Sequence, residues 1–537
     1  MKFFLVVIAL ASALLLAASP WENLASLLPP LAAFVLVLVT RAAWLGLLTG
    51  GLCGAILLAG GHLREGMVRY MEDGIFAALE GPWHIGALLF TLLLGAFAAV
   101  LERSGGLAAL FQGGAFEASP TARKKLQFSA LGAGFVCFFD GLANSLLLGR
   151  VMKPLADRVG VSRVKLAYIA DSTGSALACI AFISTWIASQ LSYIQKGLEN
   201  SSLSSAPAAY ALFFQSIPVN FYCLFTLLLL LASLYWQWNP GPMKRFEESA
   251  ASAFFQDEAV PSLPRSQAWR ALLPLGVLAG GIVSLFYFWD QAQPFPVTLE
   301  KLREGFSGSA GPYALTVGSG LALLVASACL PGPDPWKQAS EAAREGAAAF
   351  LSPLLILVLA WAFGNMLSGL GTAETLAAAL GDRLPLAWFP ALVFTLAACT
   401  SFFTGSSWGT MGLLMPLALG SLFAFGDTSE GELLALLPAV IGAVFGGAVF
   451  GDHCSPFSDT TIVSAIACGV EPMDHVRTQL PYALTAAGIS LALGYGSMGL
   501  GGPAWLGLVL GSLVLVAIPW LAAKPKKGGE PSPTAPV

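Results

Sequence analysis

Residues 126–149 read LQFSALGAGFVCFFDGLANSLLLG, and they place the sharpest constraint on the architecture. The stretch is apolar enough for a membrane, yet basic residues stand on both sides of it. Arg103, Arg123, Lys124 and Lys125 precede it, and Arg150, Lys153, Arg158, Arg163 and Lys165 follow. Short loops rich in Lys and Arg mark the cytoplasmic side of a membrane protein. A segment with both ends on one side cannot cross once; it must enter and return. Its middle, Phe138-Phe139-Asp140-Gly141 with Asn144 and Ser145, suits a re-entrant tip. Irregular backbone at membrane depth is tolerated only where protein or a water-filled cavity satisfies it.

Composition sets the wider frame. Of 537 residues, 56% are hydrophobic and only 11% charged, where about a quarter is usual for a soluble domain. The mean hydropathy is +0.74. A water-soluble fold of this size could not solvate its surface with so few charges, so the expected fold class is all-α and integral to the membrane. The net charge of −4 offers no basic stripe for nucleic acid. The eight cysteines form no CxxC pair and read as buried thiols.

Working outward from the first hairpin, twelve further apolar stretches approach the length of about 20 residues that a spanning helix needs. The first, Phe3–Ala18, also fits a secretory signal peptide; a retained helix is expected because the alternation of sides closes with it in place. Lys524, Lys526 and Lys527 put the C-terminus in the cytoplasm, and the alternation puts the N-terminus there too. The loop Gly426–Glu432 carries Asp427, Glu430 and Glu432 and no positive charge, so it belongs outside. Residues 386–425 must then begin and end outside, which makes them a second hairpin around Thr404, Gly405, Ser406 and Ser407.

The two hairpins resemble each other. Phe138-Phe139-Asp140-Gly141 matches Phe402-Phe403-Thr404-Gly405, and Met152 with Pro154 matches Met415 with Pro416. Each is followed by an interrupted helix. The first, 165–189, carries Asp171-Ser172-Thr173-Gly174-Ser175 and continues to Ser184-Thr185-Trp186. The second, 433–468, carries Gly451-Asp452-His453-Cys454-Ser455 and Ser458-Asp459-Thr460-Thr461. The expected organisation is an N-terminal helix (1–26), a first repeat (27–238), a cytoplasmic linker (239–268), a second repeat (269–498), and a C-terminal helix and tail (499–537). Five crossings per half invert the halves relative to each other. Inverted repeats with paired broken helices point to a central transport site.

Asp140, Asp171, Asp452 and Asp459 sit in otherwise apolar segments, where an ionisable residue costs about 2.5–3.5 kcal/mol on insertion scales and lines a pathway by default. With Asn144, Ser145, Ser172, Thr173, Ser184, Thr185, Thr404, Gly405, Ser406, Ser407, His453, Ser455, Ser458 and Thr460, they form the candidate cation- or substrate-binding set. Sodium wants oxygen ligands, and its expected set is Asp140, Asn144, Thr404, Ser406, Asp452 and Asp459. Plainer readings stand beside these. Asp140, Asp452 and Asp459 could cap helix ends, and Asp171 could pair with Arg163 or Lys165. His475, in the loop before Arg477, reads as interfacial. Trp186 and Trp408 could close a cavity, but packing is the simpler expectation.

The runs FFDGLANSLLLGRVMKPLADRVGVSRVKLAYIADSTGSALACIAFISTW (138–186) and GDHCSPFSDTTIVSAIACGVEPMDHVRTQLPYAL (451–484) resemble the two signatures of the NhaC-type sodium/proton antiporter family. The resemblance runs from about Pro82 to Ser497. It implies membership of the ion-transporter superfamily, an elevator-type carrier with hairpins and broken helices around sodium and substrate, and a homodimer. This sequence departs from many relatives in one place: Gly141, not a second acid, follows Asp140.

The expected function is a secondary transporter of the cell (inner) membrane that exchanges sodium for protons. The alternative is a sodium- or proton-coupled carrier of a small organic solute such as an amino acid or organic acid. Sodium enters as the coupling or transported ion, and no cofactor is expected. The expected contacts are a small ion or solute and membrane lipids. No nucleophile–base pair or metal-ligand spacing supports an enzyme, and no phosphate-binding loop supports ATP-driven pumping.

Overall fold

The computed structural model describes residues 25–40, 42–111, 120–141, 144–145, 148–199, 207–252, 265–289, 295–307, 310–372, 375, 384–425, 429–456 and 458–523. The expected first helix, Phe3–Ala18, and the C-terminal tail lie outside these residues.

The described chain is helical throughout. It opens with α1 (Leu28–Thr40), α2 (Ala43–Leu58) and α3 (Pro82–Arg103). The first hairpin follows as α4 (Pro120–Val136), a turn at Cys137–Phe139, and a second arm ending in α5 (Lys153–Val159). Then come α6 (Arg163–Ile180), α7 (Ile187–Leu198), α8 (Ala209–Ser216), α9 (Phe221–Trp236) and the linker helix α10 (Pro242–Ser252). The second half holds α11 (Trp269–Phe288), α12 (Gly311–Ala328), α13 (Pro335–Ala349), α14 (Leu351–Gly369), α15 (Phe389–Thr404), α16 (Ser407–Phe423), α17 (Glu430–Cys454), α18 (Asp459–Cys468), α19 (Pro472–Ile489) and α20 (Ala504–Ala523).

Among the described residues, seven helices are long and apolar enough to cross a membrane, or nine when two bent pairs each count as one span. One of the seven, Leu386–Phe403, includes α15, which the charge pattern assigns to a hairpin arm. Broad faces of α11 and α20 are exposed and apolar, as Leu272, Leu273, Trp505 and Leu513 show. Such faces suit lipid, which leaves no hydrophobic drive to cover them.

Local chemistry explains where the central helices start and stop. Helix α17 begins in a capping box, with Ser429 and Glu432 each bonding the other's backbone N–H. It ends at Cys454 because Ser455 is extended, as the residue before a proline prefers, and Pro456 follows. Helix α15 ends on Gly405 at φ 65°, a left-handed cap that suits glycine. One residue later the Ser406 side chain accepts from the Gly409 N–H to start α16. Helix α6 ends on extended Ala181, and the chain stays irregular until α7. The Asp171–Ser175 stretch, read from sequence as the start of an interruption, is therefore continuous helix; the break lies at 181–186.

The central elements pack in the same way twice. The first arm of each hairpin lies on the long half of the following broken helix: α4 on α6, and α15 on α17. The second arm packs against the short half of the other broken helix. The π-helical turn Leu148–Met152 meets α18, and α16 meets α7. Small residues set these distances. A Cβ on Gly134 would lie 2.3 Å from Thr173 Oγ1, and a Cβ on Gly447 would lie 2.8 Å from the Phe394 carbonyl oxygen.

The linker helix α10 is anchored by Glu247. This carboxylate accepts from the Ser162 N–H (2.8 Å) and hydroxyl (2.5 Å), and from Arg123 (3.0 Å). One side chain thus ties α10 to the entry of α6 and to the first hairpin arm.

Gly451→Ala tests the close packing of α15 on α17. Its Cβ would stand 2.3 Å from the Ser401 carbonyl carbon, so backbone must move, and we expect loss of monodisperse protein after detergent extraction. Gly488→Ala, whose Cβ meets nothing within 4 Å, should extract like the parent.

Candidate functional site

Both hairpin tips and both helix breaks meet at one cavity of about 70 Å³. Asp140 and Gly141 come from the first tip, and Gly405, Ser406, Ser407 and Trp408 from the second. Thr185 and Trp186 come from the first break, and Asp452, Ser458 and Thr460 from the second. Phe350 and Pro353 close one side. Trp186 and Trp408, expected to pack, do so and also line the cavity.

The breaks are held by hydroxyls. Ser184 Oγ donates to the Ala178 carbonyl (2.7 Å), and Thr461 Oγ1 donates to the Asp452 carbonyl. The Thr185 N–H donates to the Phe139 carbonyl (2.8 Å), joining the first tip to the first break. Each bond satisfies backbone that the interruption frees, which a low-dielectric site requires. Asp140 and Asp452 are each 2% exposed. Ser458 donates to Asp452 Oδ1 (3.0 Å) and shares a bond with Thr460 (2.9 Å).

Four chain segments begin a helix at the cavity wall. They are the second arm of hairpin 1 at Gly141, α7 after Trp186, α16 at Ser407 and α18 after Ser458. Helix N-termini carry partial positive charge and unpaired N–H groups. The cavity therefore has two carboxylates on its wall together with helix starts whose partial positive charge favours negative charge.

Other expected site residues sit beside the cavity. The Asn144 amide donates to Thr173 Oγ1 (2.9 Å) and the Ala170 carbonyl (3.2 Å), which turns it toward α6. It is not among the residues lining the cavity, and its amide nitrogen ties the tip to α6. Ser145 bonds Ser464 of α18 (2.8 Å) and the Gly141 carbonyl. Thr173 also donates to the Ile169 carbonyl (2.7 Å). Ser172 is buried in α6, and Ser455 supplies the extended residue of the second break. The His453 ring bonds the Tyr222 hydroxyl (2.9 Å). Thr404 closes α15 and Asp459 opens α18; their side chains lie outside the described residues.

Asp171 does not pair with Arg163 or Lys165. Arg163 binds Asp157 (2.7 Å), and Lys165 donates to Asn239 (3.0 Å) and Tyr482 (3.2 Å). Asp171 instead accepts from Gln479 (2.8 Å) and lies 3.4 Å from His475 Nε2. Thr461 and Ser464 stand at 3.5 Å. His475, expected at the interface, is fully buried. Helix α19 begins at Pro472, so His475 lies within a helix and not in a loop. The signal available in the sequence was the four-residue spacing of His475 and Gln479, which puts both on one helix face.

Gly141 stands against Gly174 of α6; a Cβ there would lie 3.3 Å from the Gly174 carbonyl carbon. The tip approaches the helix too closely for an added side chain without displacement. Among the described residues, no group of three or more His, Cys, Asp or Glu side chains is arranged to hold a metal ion.

Comparison with known proteins places this geometry. Residues 177–500 match the model of the Na+/H+ antiporter family. An uncharacterized protein of Haemophilus influenzae is 30% identical over 477 residues, covering 88% of this chain and 90% of that protein. Two local matches fall on named transporters. The Na+/H+ antiporter NhaC of Alkalihalophilus pseudofirmus is 32% identical over 143 residues, 26% of this chain and 29% of its own. The malate-2H+/Na+-lactate antiporter of Bacillus subtilis is 38% identical over 104 residues, 19% of this chain and 20% of its own. The crystal structure of the YdaH transporter of Alcanivorax borkumensis shares the fold, with a TM-score of 0.52 at 18% identity, over 86% of this chain and 89% of that one. With more than half of its length matched by the family model and a relative aligned almost end to end, this chain belongs to the Na+/H+ antiporter family.

Proposed function

We propose that the protein exchanges sodium for protons across the cell (inner) membrane, with both termini in the cytoplasm and Asp140 and Asp452 as the carboxylates of the exchange site. The observation that carries this reading is the cavity itself. Two buried carboxylates and the hydroxyls of Thr185, Ser406, Ser458 and Thr460 share about 70 Å³. A water needs about 10–15 Å³ of such space, so the cavity admits a small cation with several waters. Sodium is a hard cation that takes oxygen ligands, as calcium and magnesium do. A buried carboxylate is costly unless its charge is met, so uptake of a cation by this unit is coupled to release of a proton from it.

The matched packing of the two hairpins on the two broken helices supports an inverted-repeat origin for 27–238 and 269–498. It also supports an elevator-type movement of these elements against α1, α2, α3 and α11–α14. Ser145–Ser464 and the contact of α7 with α16 hold the two halves of that unit together.

A second reading has one observation in its favour. The helix N-termini around the cavity suit the carboxylate of a small organic acid, and one local relative is named for malate and lactate exchange. The cavity would have to open to admit such a solute.

Reconstituted vesicles loaded with a pH dye separate the two. Adding sodium should move protons with no organic solute present; silence until a solute is supplied would overturn the first reading. Asp140→Asn and Asp452→Asn should each cut the flux by at least about tenfold while leaving extraction and elution unchanged. Near-parental flux in both would make these residues helix caps.

Gly141→Asp tests the role of the tip glycine. Because its Cβ crowds Gly174, exchange should fall severalfold despite the added carboxylate. Gly132→Ala, which meets nothing within 4 Å, should match the parent in the same assay. Faster exchange in Gly141→Asp would show that the missing acid, not the packing, limits the site.

A further inference from the structure

We propose that Asp171 and His475 form a proton-binding site separate from the cation cavity, through which the proposed exchange takes up and releases its proton. The inference rests on the antiport reading and adds to it a location for the proton.

Asp171 lies in the middle of α6, 1% exposed, and does not line the cavity. His475 reaches it from α19, is 0% exposed, and sets Nε2 3.4 Å from Asp171 Oδ2. Gln479, one turn further along α19, donates to the same oxygen at 2.8 Å. Thr461 and Ser464 of α18 place hydroxyls 3.5 Å from the two carboxylate oxygens. A carboxylate this deep needs compensation for lost hydration. Here the nearby lysine and arginine of α6 are engaged elsewhere, Arg163 on Asp157 and Lys165 on Asn239 and Tyr482. The facing base is an imidazole, charged only when it holds a proton. The pair is electrically neutral with one proton and carries one negative charge without it. A lysine or arginine partner would have fixed the charge; an imidazole makes it depend on proton occupancy.

The surroundings reinforce this. From α17, His453 lies within electrostatic reach of Asp171 and His475, and Cys454 faces Asp171 as well. From α18, Cys468 is near Asp171, with Lys153 of α5 and Arg163 beyond it. From α9, Tyr222 meets His453. On α6 itself Tyr168 stacks against Tyr482 of α19. Glu247 of α10 is held by Ser162 and by Arg123 of α4. None of these supplies a fixed positive charge bonded to Asp171.

The pair is connected to the cavity by hydroxyls. Thr461, beside Asp171, also donates to the Asp452 carbonyl, and Ser464 also bonds Ser145 of the first hairpin. Proton occupancy of the pair therefore acts on one wall of the cavity and on one hairpin arm, without the proton entering the cation's own site.

The test uses the full chain in proteoliposomes, with two readouts over a pH series: exchange of radiolabelled sodium for sodium, and sodium-driven proton movement. Asp171→Asn and His475→Gln should keep sodium–sodium exchange, lose its pH dependence, and lose at least about tenfold in proton movement. Gln479→Leu removes a donor that favours the charged carboxylate, so the midpoint of its pH profile should move upward with both activities kept. Parental proton movement and pH profile in Asp171→Asn and His475→Gln would overturn the proposal. So would an unshifted Gln479→Leu midpoint, and that variant decides the matter if the other two fail to assemble. If the parent protein shows no sodium-driven proton movement, the antiport reading fails on its own. Infrared difference spectra then decide the site: a carboxyl band that titrates, is lost in Asp171→Asn and shifts in His475→Gln supports it, and its absence in the parent overturns it.

Discussion

The structure depends on one constraint: backbone interrupted inside an apolar bundle must find its hydrogen bonds within the protein. The chain is opened at 181–186 and at Ser455, Pro456 and Ser458, and turned at Cys137–Phe139 and Gly405. Those openings survive because glycine and small side chains let a hairpin arm lie on the neighbouring helix at backbone distance, and because hydroxyls take up the freed carbonyls. An unsatisfied peptide group in a hydrocarbon environment costs several kcal/mol. The serine and threonine content around the breaks is thus as much a structural requirement as a source of ligands. It also explains why so many polar residues of the central elements are fully buried.

The same geometry produces two chemically different centres a short distance apart. The cavity gathers carboxylates, hydroxyls and helix N-termini, an arrangement suited to a small charged species. The Asp171 cluster gathers a carboxylate, an imidazole and an amide, with side chains packed on every side. Helix α18 belongs to both, its first residues facing the cavity and its Thr461 and Ser464 facing Asp171. A ten-residue helix of this kind is a short lever between the two.

Much of this was legible in the sequence, for physical reasons that can be named. Charge in short loops pointed to residues 126–149 and 386–425, where the chain turns at Cys137–Phe139 and Gly405, and reading the segments of Asp140 and Asp452 as paired interruptions put into one set two residues that line one cavity. Other parts were hidden. Asp171–Ser175 looked like a break because it is polar, yet it is continuous helix; its carboxylate is satisfied by side chains of α18 and α19, which lie almost three hundred residues away or more. His475 looked interfacial because it was read in a loop before Arg477, whereas α19 starts at Pro472, a first-turn position where proline is tolerated. The Asn144 amide nitrogen is bonded to α6, a contact that its residue type does not reveal. Long-range partners of this kind have no local pattern, so a single sequence does not display them.

The linker between the halves has a mechanical consequence. Glu247 is a single carboxylate gripped by the first turn of α6 and by the first hairpin arm. Sliding α4 past α6 would cost this buried carboxylate either its Arg123 bond or its two Ser162 bonds. These two elements and α10 are therefore geared together, and the shear planes available to the molecule must pass elsewhere. A segment that looks in sequence like a slack tether serves as a brace joining α10, α4 and α6.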